Sequence, residues 1–444
     1  MKEVDTLIIG GRLLLMDEKD TVLPEGAVAI DGERVVAVGP PEEIQGRFTG
    51  RAVVDARDSL VMPGLINGHT HAAMTCFRGI ADDMALMEWL DRYIFPAEAR
   101  NVDPELAYWG SRLACAEMIR SGTTTFCDMY IFEEETARAA KEAGMRCLIG
   151  EVLFDFPSPN FKTPAEGLAY TRGLLERWSG DSLVRIVVEP HGLYTCSPPL
   201  LISAKALADE FQAPYATHLL ENASEAAQLG EKFGKPALEF LEEIGWLTER
   251  FLAFHCVCMA EEDIRRFADH GCSAVHNPES NMKLASGIAP VSAMRGKGIR
   301  MGLGTDGCAS NNDLDLFREM DTAAKLAKVA ALDPTILPAR DVLRMATCEG
   351  AGVLGLAEET GALVPGKKAD IVIIGLNEPH LTPLYNEYSH LVYAVNGADV
   401  DTVLINGKVV MRDRILLTID EREAMEHVRE IAERVRKSLE NGNR

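Results

Sequence analysis

A pair of histidines in the segment PGLINGHTH has the spacing of a metal-binding motif. His69 and His71 are separated by one residue and follow an apolar run that is predicted to be a β-strand. Alternate residues of a strand point to the same side, so both imidazoles can reach a single metal ion. An HxH pair alone is a weak indication, and its meaning depends on the donors that accompany it.

Two further donors stand at the ends of later predicted strands. His218 lies in ATHLLE and Asp306 lies in GLGTDG, where they end the fifth and eighth strand candidates. Three imidazoles, one carboxylate and a water molecule suit one Zn²⁺ ion per subunit, although Fe²⁺ would also be accommodated. A bridged pair of metals commonly needs a carboxylated lysine at the end of the fourth strand. That strand reads RIVVEPHG, without a lysine, so a single metal is predicted.

Two residues near these donors are suited to moving protons. Glu221 lies three residues after His218 and is predicted to carry a proton from the water to the substrate nitrogen and the leaving group. The competing interpretation is a surface carboxylate that opens the helix in ENASEAA. His255, in AFHCV, is predicted to orient or deprotonate the water. Its alternative is a core histidine that donates to a carbonyl.

His276, in VHNPESN, also ends a predicted strand. We expect it to organise the mouth of the site rather than to bind metal. Asn277, Ser280 and Asn281 follow it and suit hydrogen bonding within the loop, but the sequence assigns them no individual role.

These residues are attached to a regular alternation of strands and helices in the middle of the chain. Apolar strand candidates are separated by helical patterns such as AEEDIRRFADHG. Eight strands alternating with helices over about 300 residues favour an α/β (β/α)8 barrel, in which catalytic groups stand at the carboxyl ends of the strands. A doubly wound open sheet is the structural alternative. The strand candidates are residues 60–66, 123–129, 146–153, 184–190, 214–219, 251–257, 272–276 and 300–304.

Both ends of the chain have a different texture, with short apolar runs separated by turn signals. Asn-Gly pairs at 396–397 and 406–407 predict tight turns between strands. We expect a small β-sandwich built from residues 1–58 and 361–419, a catalytic barrel over 59–360, and a C-terminal helix over 420–444.

The composition excludes several classes of partner. Lys and Arg total 45 against 68 Asp and Glu, which gives a formal net charge of −23. Such a surface repels nucleic acid and anionic membranes. No apolar run is long enough to span a bilayer, and the acidic start MKEVD does not resemble a signal peptide. With 10 cysteines and no CxxC pair, reduced thiols and a cytoplasmic location are expected. A homo-oligomer is left open.

Several segments resemble those of the metal-dependent amidohydrolase superfamily, and within it the 5-methylthioadenosine/S-adenosylhomocysteine deaminases. The resemblance covers nearly the whole chain and is most specific in the segments after the seventh and eighth strands. The segments that carry it are PGLINGHTH, THLLE, HCV, HNPESNMKLASGIAPV and LGTDGCASNNDLDLF.

The resemblance implies a role for each matching position. His69, His71, His218 and Asp306 match metal ligands, Glu221 matches the proton shuttle, and His255 matches the histidine that orients the water; Asp306 would also be the general base. Two further roles come from the resemblance alone. Glu98, in FPAEAR, matches a carboxylate that binds ribose hydroxyls, and His191, in EPHGLYTCS, matches a histidine that contacts substrate.

The implied reaction is hydrolytic deamination of a 5′-substituted adenosine. One departure from the resemblance concerns the 5′ group: some relatives carry arginines after the third strand, but here that stretch reads GEVLFDFPSPNFKTP, with Glu151, Asp155 and a single base, Lys162. S-adenosylhomocysteine is therefore expected to be a weaker substrate than methylthioadenosine, adenosine or 5′-deoxyadenosine. The alternatives are the same chemistry on guanine, another nucleobase or an s-triazine, and a catalytically silent barrel that only binds.

Overall fold

The strands fall into two nine-stranded sheets in the computed structural model, which describes residues 1–442. One sheet uses both ends of the sequence, and the other uses the middle. The strands are β1 (Lys2–Leu14), β2 (Val22–Asp31), β3 (Arg34–Gly39), β4 (Phe48–Asp55), β5 (Ser59–Pro63), β6 (Leu65–Thr70), β7 (Thr123–Tyr130), β8 (Arg146–Leu153), β9 (Val184–Ile186), β10 (Glu189–Pro190), β11 (Tyr215–Leu219), β12 (Phe251–His255), β13 (Ser273–His276), β14 (Arg300–Leu303), β15 (Ile371–Gly375), β16 (Val400–Ile405), β17 (Lys408–Arg412) and β18 (Ile415–Leu416).

Helices follow most strands of the middle sheet. Within residues 1–442, none of them combines the length and the apolarity needed to cross a bilayer. Three short 3₁₀ turns, Ala72–Phe77, Pro379–Leu381 and Gly397–Asp399, and one π-helical turn, Leu90–Ile94, complete the inventory. The α-helices are α1 (Pro41–Arg47), α2 (Leu86–Trp89), α3 (Phe95–Asn101), α4 (Pro104–Arg120), α5 (Glu133–Ala143), α6 (Pro164–Arg177), α7 (Pro198–Phe211), α8 (Ala223–Phe233), α9 (Ala237–Glu243), α10 (Glu261–Asp269), α11 (Pro278–Lys283), α12 (Val291–Gly296), α13 (Leu316–Ala331), α14 (Ala339–Met345), α15 (Cys348–Val353), α16 (Glu387–Tyr393) and α17 (Glu421–Gly442).

The middle sheet closes into the predicted (β/α)8 barrel. Its strands pair in the order β10–β8–β7–β6–β14–β13–β12–β11, and every ladder is parallel. Bridges from Val188 to Tyr215 and from Gly192 to His218 join the two ends of this order. β9 and β10 share the fourth position, where the predicted strand over 184–190 is interrupted. Closure excludes the doubly wound open sheet, and the barrel prediction is confirmed.

The first barrel strand begins later than the sequence indicated. The apolar run predicted as one strand over 60–66 contains most of β5, which pairs with β15 in the other sheet, and the start of β6, which opens the barrel. Gly64 separates them, and a side chain there would collide with Thr124. A continuous apolar run has no periodicity that marks such a break. The domain boundaries after residues 58, 360 and 419 stay predictions.

The terminal sheet joins both ends of the chain through β5. Its order is β18–β17–β16–β15–β5–β1–β2–β3, with β4 paired to β1. Asn406 and Gly407 form the predicted hairpin turn between β16 and β17, both at positive φ. The other predicted turn is wrong, because Asn396 instead caps the 3₁₀ turn Gly397–Asp399 by accepting from the Ala398 N–H.

A buried ion pair attaches this sheet to the barrel. Arg146, at the start of β8, donates to both oxygens of Asp370 at 3.1 and 3.2 Å. Asp370 also accepts from the Thr360 hydroxyl and the Asn406 N–H. Because β8 begins there, the contact lies at the amino-terminal face of the barrel, which carries stability rather than catalysis in such folds.

The C-terminal helix α17 braces α3, the helix that carries Glu98. Asn101, in α3, donates to the Ser438 hydroxyl of α17 at 2.8 Å. His427 of α17 stacks on Trp109 of α4 with ring centroids 3.8 Å apart. The terminal helix therefore supports one wall of the site described next.

Candidate active site and metal centre

A cavity lies among the residues that follow the barrel strands, where barrel enzymes carry their catalytic groups. Of the eight residues predicted to bind metal, move protons or contact substrate, seven line it, and the eighth, His69, is fully buried with its Nε2 3.2 Å from that of His218. The lining residues from that set are His71, Glu98, His191, His218, Glu221, His255 and Asp306.

Four donor atoms converge at one side of this cavity. The Nε2 atoms of His69 and His218 are 3.2 Å apart, and Asp306 Oδ1 lies 3.4 Å from His69 Nε2 and 3.1 Å from His71 Nε2. Donors held about 2.1 Å from a tetrahedral metal are about 3.4 Å from one another. Within residues 1–442, two overlapping sets of donors lie close enough to share a metal ion: His69, His71 and Asp306, and His69, His218 and His255. His69 belongs to both sets.

Backbone carbonyls orient two of the imidazoles. His218 Nδ1 donates to the His191 carbonyl at 2.6 Å, and His71 Nδ1 donates to the Met129 carbonyl. A carbonyl oxygen only accepts, so each Nδ1 carries a proton and the Nε2 atoms that face the cavity are free to bind a metal. The third ring, His69, is held by stacking on Phe254 with centroids 3.8 Å apart.

Hydrogen bonding within the cluster shifts the pKa of two of its members. Burial lowers the pKa of His71, but the hydrogen bond to Asp306, the charge of that carboxylate and the Met129 carbonyl together raise it to about 9. Burial raises the pKa of Asp306, but its hydrogen bonds to His69 and His71 and the charge of His71 together hold it well below its usual range. Burial lowers the pKa of His69 to about 3 and that of His218 well below its usual range, so these two imidazoles are neutral, as metal ligands must be.

Asp306 itself is held in an unfavourable backbone conformation. Its φ is +63°, which costs a non-glycine residue about 1–3 kcal/mol. Its N–H donates to the His69 carbonyl at 3.0 Å. Oδ1 accepts from the Gly307 N–H at 2.8 Å, and Oδ2 accepts from the hydroxyls of Ser280 and Ser310, each at 2.7 Å. These bonds aim Oδ1 at the imidazoles.

Glu221 and His255 face each other beside the donor cluster. Glu221 Oε2 lies 3.9 Å from His255 Nε2, and the His255 ring approaches those of His69 and His218. His255 Nδ1 donates to Asn281 Oδ1 at 2.9 Å, which leaves its Nε2 free toward the cavity. The backbone of His255 is left-handed, at φ +68°, so this orientation is also imposed by surrounding contacts.

Burial raises the pKa of the two glutamate side chains in the cavity. It raises the pKa of Glu221, and it raises the pKa of Glu98 to about 7. Both side chains are only 5–6% exposed. Glu221 is thereby suited to donating a proton, while Glu98 is poised between a hydrogen-bond donor and an acceptor.

His191 presents an acceptor to the cavity. Burial lowers its pKa to about 3, so the ring is neutral. Its Nδ1 lies 2.9 Å from Thr195 Oγ1, whose hydroxyl donates to the Gly192 carbonyl at 3.1 Å. Since the threonine proton is already used, His191 Nδ1 carries the shared proton and Nε2 keeps its lone pair.

One wall of the cavity comes from the helical segment between β6 and α4. A π-helical turn connects α2 to α3, and such turns are frequent at functional sites. The Trp89 indole N–H donates to the Ala81 carbonyl at 3.1 Å, so its ring faces the cavity. The apolar lining residues of this segment, which surround Glu98, are Leu86, Trp89, Leu90, Ile94 and Phe95.

The loop after β8 contributes apolar rather than basic side chains. Phe154 lines the cavity and stacks on Phe156 with centroids 4.6 Å apart. Lys162 is exposed, and the Asp155 carboxylate accepts from the Ser197 hydroxyl. The Glu151 carboxylate is buried and accepts from the Glu133 N–H and the Asn160 amide. No lysine or arginine of residues 1–442 lines the cavity.

Sequence reasoning left out the residues that orient the reactive groups. Ser280 and Asn281 were seen in VHNPESN but received no role, although they contact Asp306 and His255. Ser310 was not singled out. The sequence signal that could have identified these orienting residues is a cluster of small polar residues directly after two predicted strands. His276, predicted at the mouth, is buried and does not line the cavity.

The fold and the site together define a class of protein. A closed (β/α)8 barrel with three imidazoles and a carboxylate at its strand ends is the arrangement expected of a metal-dependent hydrolase. The model of the amidohydrolase family matches residues 60–410, and the chain belongs to this family. A second match, to the bacterial imidazolonepropionase-like composite domain, covers residues 26–50 of the terminal sheet.

Individual relatives are similar over almost the full length. The 5-methylthioadenosine/S-adenosylhomocysteine deaminase 1 of Syntrophus aciditrophicus is 70% identical over 439 residues, which is 99% of each chain. A 5′-deoxyadenosine deaminase of Methanosarcina mazei is 43% identical over 97% of this chain and 98% of its own. The crystal structure of an adenosine deaminase from Xanthomonas campestris with bound zinc has a TM-score of 0.97 at 38% identity, covering 98% of this chain and 99% of its own.

The donor cluster leads to a prediction about metal content. His218→Asn is expected to lose most of its bound metal, because one of four converging donors is removed. His276→Asn is the matched control, since His276 also ends a barrel strand, β13, but lies outside the cavity. Metal per chain is measured by inductively coupled plasma mass spectrometry, with circular dichroism confirming the fold. Equal metal in both variants would remove His218 from the ligand set.

Proposed function

We propose that this chain catalyses the hydrolytic deamination of 5′-substituted adenosines to the inosine analogue and ammonia. Its substrates are small nucleosides: 5′-methylthioadenosine, S-adenosylhomocysteine, adenosine and 5′-deoxyadenosine. The observation that carries the proposal is the joint presence, in one cavity, of the donor cluster, the buried acid Glu221 and a second buried carboxyl group, Glu98. The names of the similar deaminases support it, and we place the reaction in the cytoplasm.

The four donors are proposed to hold one divalent ion per subunit, Zn²⁺ in preference to Fe²⁺. When bound, the ion supplies a water activated for nucleophilic attack near neutral pH. The residues His69, His71, His218 and Asp306 need little rearrangement for this, because carbonyls, hydroxyls and ring stacking already orient their side chains.

Glu221 is proposed to manage the protons of the reaction. Its carboxyl donates to the purine ring nitrogen beside C6 as the nucleophile adds, and it then passes a proton from the water to the departing amine. The oxygen of one water becomes the 6-oxo group, the C6–N bond breaks, and ammonia leaves. Glu221 is suited to the first step because burial raises its pKa.

His255 and Asp306 are proposed to orient and deprotonate the water. His255 directs a free Nε2 toward Glu221 at 3.9 Å. Both oxygens of Asp306 accept hydrogen bonds, but Oδ2 is covered by two serine hydroxyls, so Oδ1 is the atom nearest the imidazoles and the reacting water. His255 and Asp306 thus act on the water, while Glu221 delivers protons to the purine.

Glu98 and His191 are proposed to bind the nucleoside. A carboxylate accepts from two adjacent hydroxyls, which a ribose provides and a free base or a triazine does not. His191 offers a bare Nε2 from the same cavity. The surrounding apolar side chains exclude water, which strengthens each of these hydrogen bonds. Glu98 thus favours a nucleoside over the rival substrates of the superfamily.

The central acid can be tested by a single substitution. Glu221→Gln is expected to keep its metal and to lower kcat by about 10²–10⁴-fold, the usual contribution of a general acid. Glu231→Gln, an exposed carboxylate of the adjacent helix α8, is the control and is expected to match the native enzyme. Deamination is followed by the ultraviolet change from adenine to hypoxanthine. Full activity of Glu221→Gln would refute the assignment.

The ribose role of Glu98 predicts a loss that depends on the substrate. Glu98→Gln should raise KM for 5′-methylthioadenosine by about 10- to 100-fold, as expected for hydrogen bonds to a charged group. A 2′,3′-dideoxy analogue lacks the hydroxyls, so its steady-state constants should change little. Proportional losses on both substrates would mean that Glu98 supports the cavity wall instead of binding ribose.

The apolar, base-free wall predicts a ranking of the two thioethers. The kcat/KM for S-adenosylhomocysteine should be at least about tenfold below that for 5′-methylthioadenosine, because a carboxylate loses solvation without meeting a guanidinium. Phe156→Arg, which places a cation beside Phe154 in the wall, is expected to narrow the difference. Comparable efficiencies of the native enzyme on both compounds would contradict this selectivity.

A further inference from the structure

The turn that carries Glu221 is bonded to a carboxylate outside the cavity. Glu225 stands in the first turn of α8, is 1% exposed, and does not line the cavity. Its Oε1 accepts from the Leu220 N–H at 3.2 Å, and its Oε2 accepts from the Glu221 N–H at 2.7 Å. Each oxygen therefore takes one of two consecutive peptide N–H groups, one of which belongs to Glu221 itself.

The backbone of this turn has a conformation that other contacts must stabilise. β11 ends at Leu219 and α8 begins at Ala223, so the chain must reverse direction within three residues. Leu220 does so at φ +51°, a conformation that costs a non-glycine residue about 1–3 kcal/mol. Asn222 caps α8 by accepting from the Glu225 N–H at 2.9 Å, which fixes where the Glu225 side chain begins.

The same turn is tied to the loop that carries His255. The Cys256 N–H donates to the Leu219 carbonyl at 3.1 Å, and the Cys258 N–H donates to the Leu220 carbonyl at 2.9 Å. Glu225 thus completes the hydrogen bonding of Leu220, whose carbonyl accepts from the Cys258 N–H and whose N–H donates to Glu225. These bonds connect the turn that carries Glu221 to the loop that carries His255, where the two side chains are 3.9 Å apart.

We propose that Glu225 is a positioning residue for proton transfer by Glu221, an inference that rests on the proposed function. It contacts no substrate and acts through two peptide N–H groups. The side chain of Gln has the same length but presents one oxygen and one NH₂ group, so one of the two N–H donors loses its acceptor and meets another donor. The turn then relaxes, and the Glu221 carboxyl leaves the direction of the purine ring.

A double-mutant cycle separates positioning from general support of the fold. Glu225→Gln should lower kcat on 5′-methylthioadenosine by about 10- to 100-fold, as small misplacements of catalytic groups do, with KM and metal content unchanged. In the Glu221→Gln background the same substitution should lower kcat no further, because its only route of action has been removed. Equal losses in both backgrounds would overturn the proposal. Glu231→Gln again serves as the exposed control.

Amide hydrogen exchange provides a readout that needs no turnover. In Glu225→Gln and Glu225→Ala, a peptide covering residues 219–226 should exchange faster than in the native chain, while Glu231→Gln leaves it unchanged. Unchanged exchange in all three variants would contradict the proposed role of Glu225 in holding the turn. A native chain that turns over no nucleoside would contradict the proposed function instead, because the exchange result does not depend on activity.

Discussion

The site depends on imidazole nitrogens and a carboxylate oxygen whose lone pairs lie close together and are stabilised there by a positive charge. Imidazole Nε2 atoms and one carboxylate oxygen approach one another at 3.1–3.4 Å in a largely buried cluster. Despite burial, the pKa of His71 is raised to about 9, because its proton is the positive charge that meets the Asp306 carboxylate. A single divalent metal ion bound by these atoms would supply that positive charge. The neighbouring groups are arranged around this requirement, either to orient a donor or to use the nucleophile that a metal provides.

The orientation of these groups is imposed by strained backbone at strand ends. Leu220, His255 and Asp306 all have positive φ, and each stands beside or at a proposed catalytic residue. Such conformations persist only where other contacts outweigh their cost. The contacts here are side chains outside the reaction: Glu225 on the Glu221 turn, Asn281 on His255, and the two serines on Asp306. The stability of the rigid barrel offsets the conformational free energy that these strained residues cost.

The sequence predicted the barrel and most of the site because its signals are local. Apolar runs alternate with helical patterns, and His218 and Asp306 directly follow such runs. Glu98 was found only by resemblance, because the segment FPAEAR has the pattern of a solvated helix. The π-helical turn that precedes α3 and accompanies the inward position of Glu98 has no pattern in the sequence. Glu225 carried no signal, because its partners are two peptide N–H groups of a turn, and the small polar cluster that contains Asn281 did not indicate that its partner is His255. The break at Gly64 was missed inside one continuous apolar run.

A comparison of substrates tests whether the proposed metal site acts on a nucleoside. Metal-loaded enzyme is given 5′-methylthioadenosine, adenosine and 5′-deoxyadenosine beside free adenine, guanine and an s-triazine. We expect conversion of the nucleosides to their hypoxanthine forms with no turnover of the bases or the triazine. If every nucleoside is inert while a base or the triazine reacts, the ribose role of Glu98 is wrong and only the metal chemistry remains.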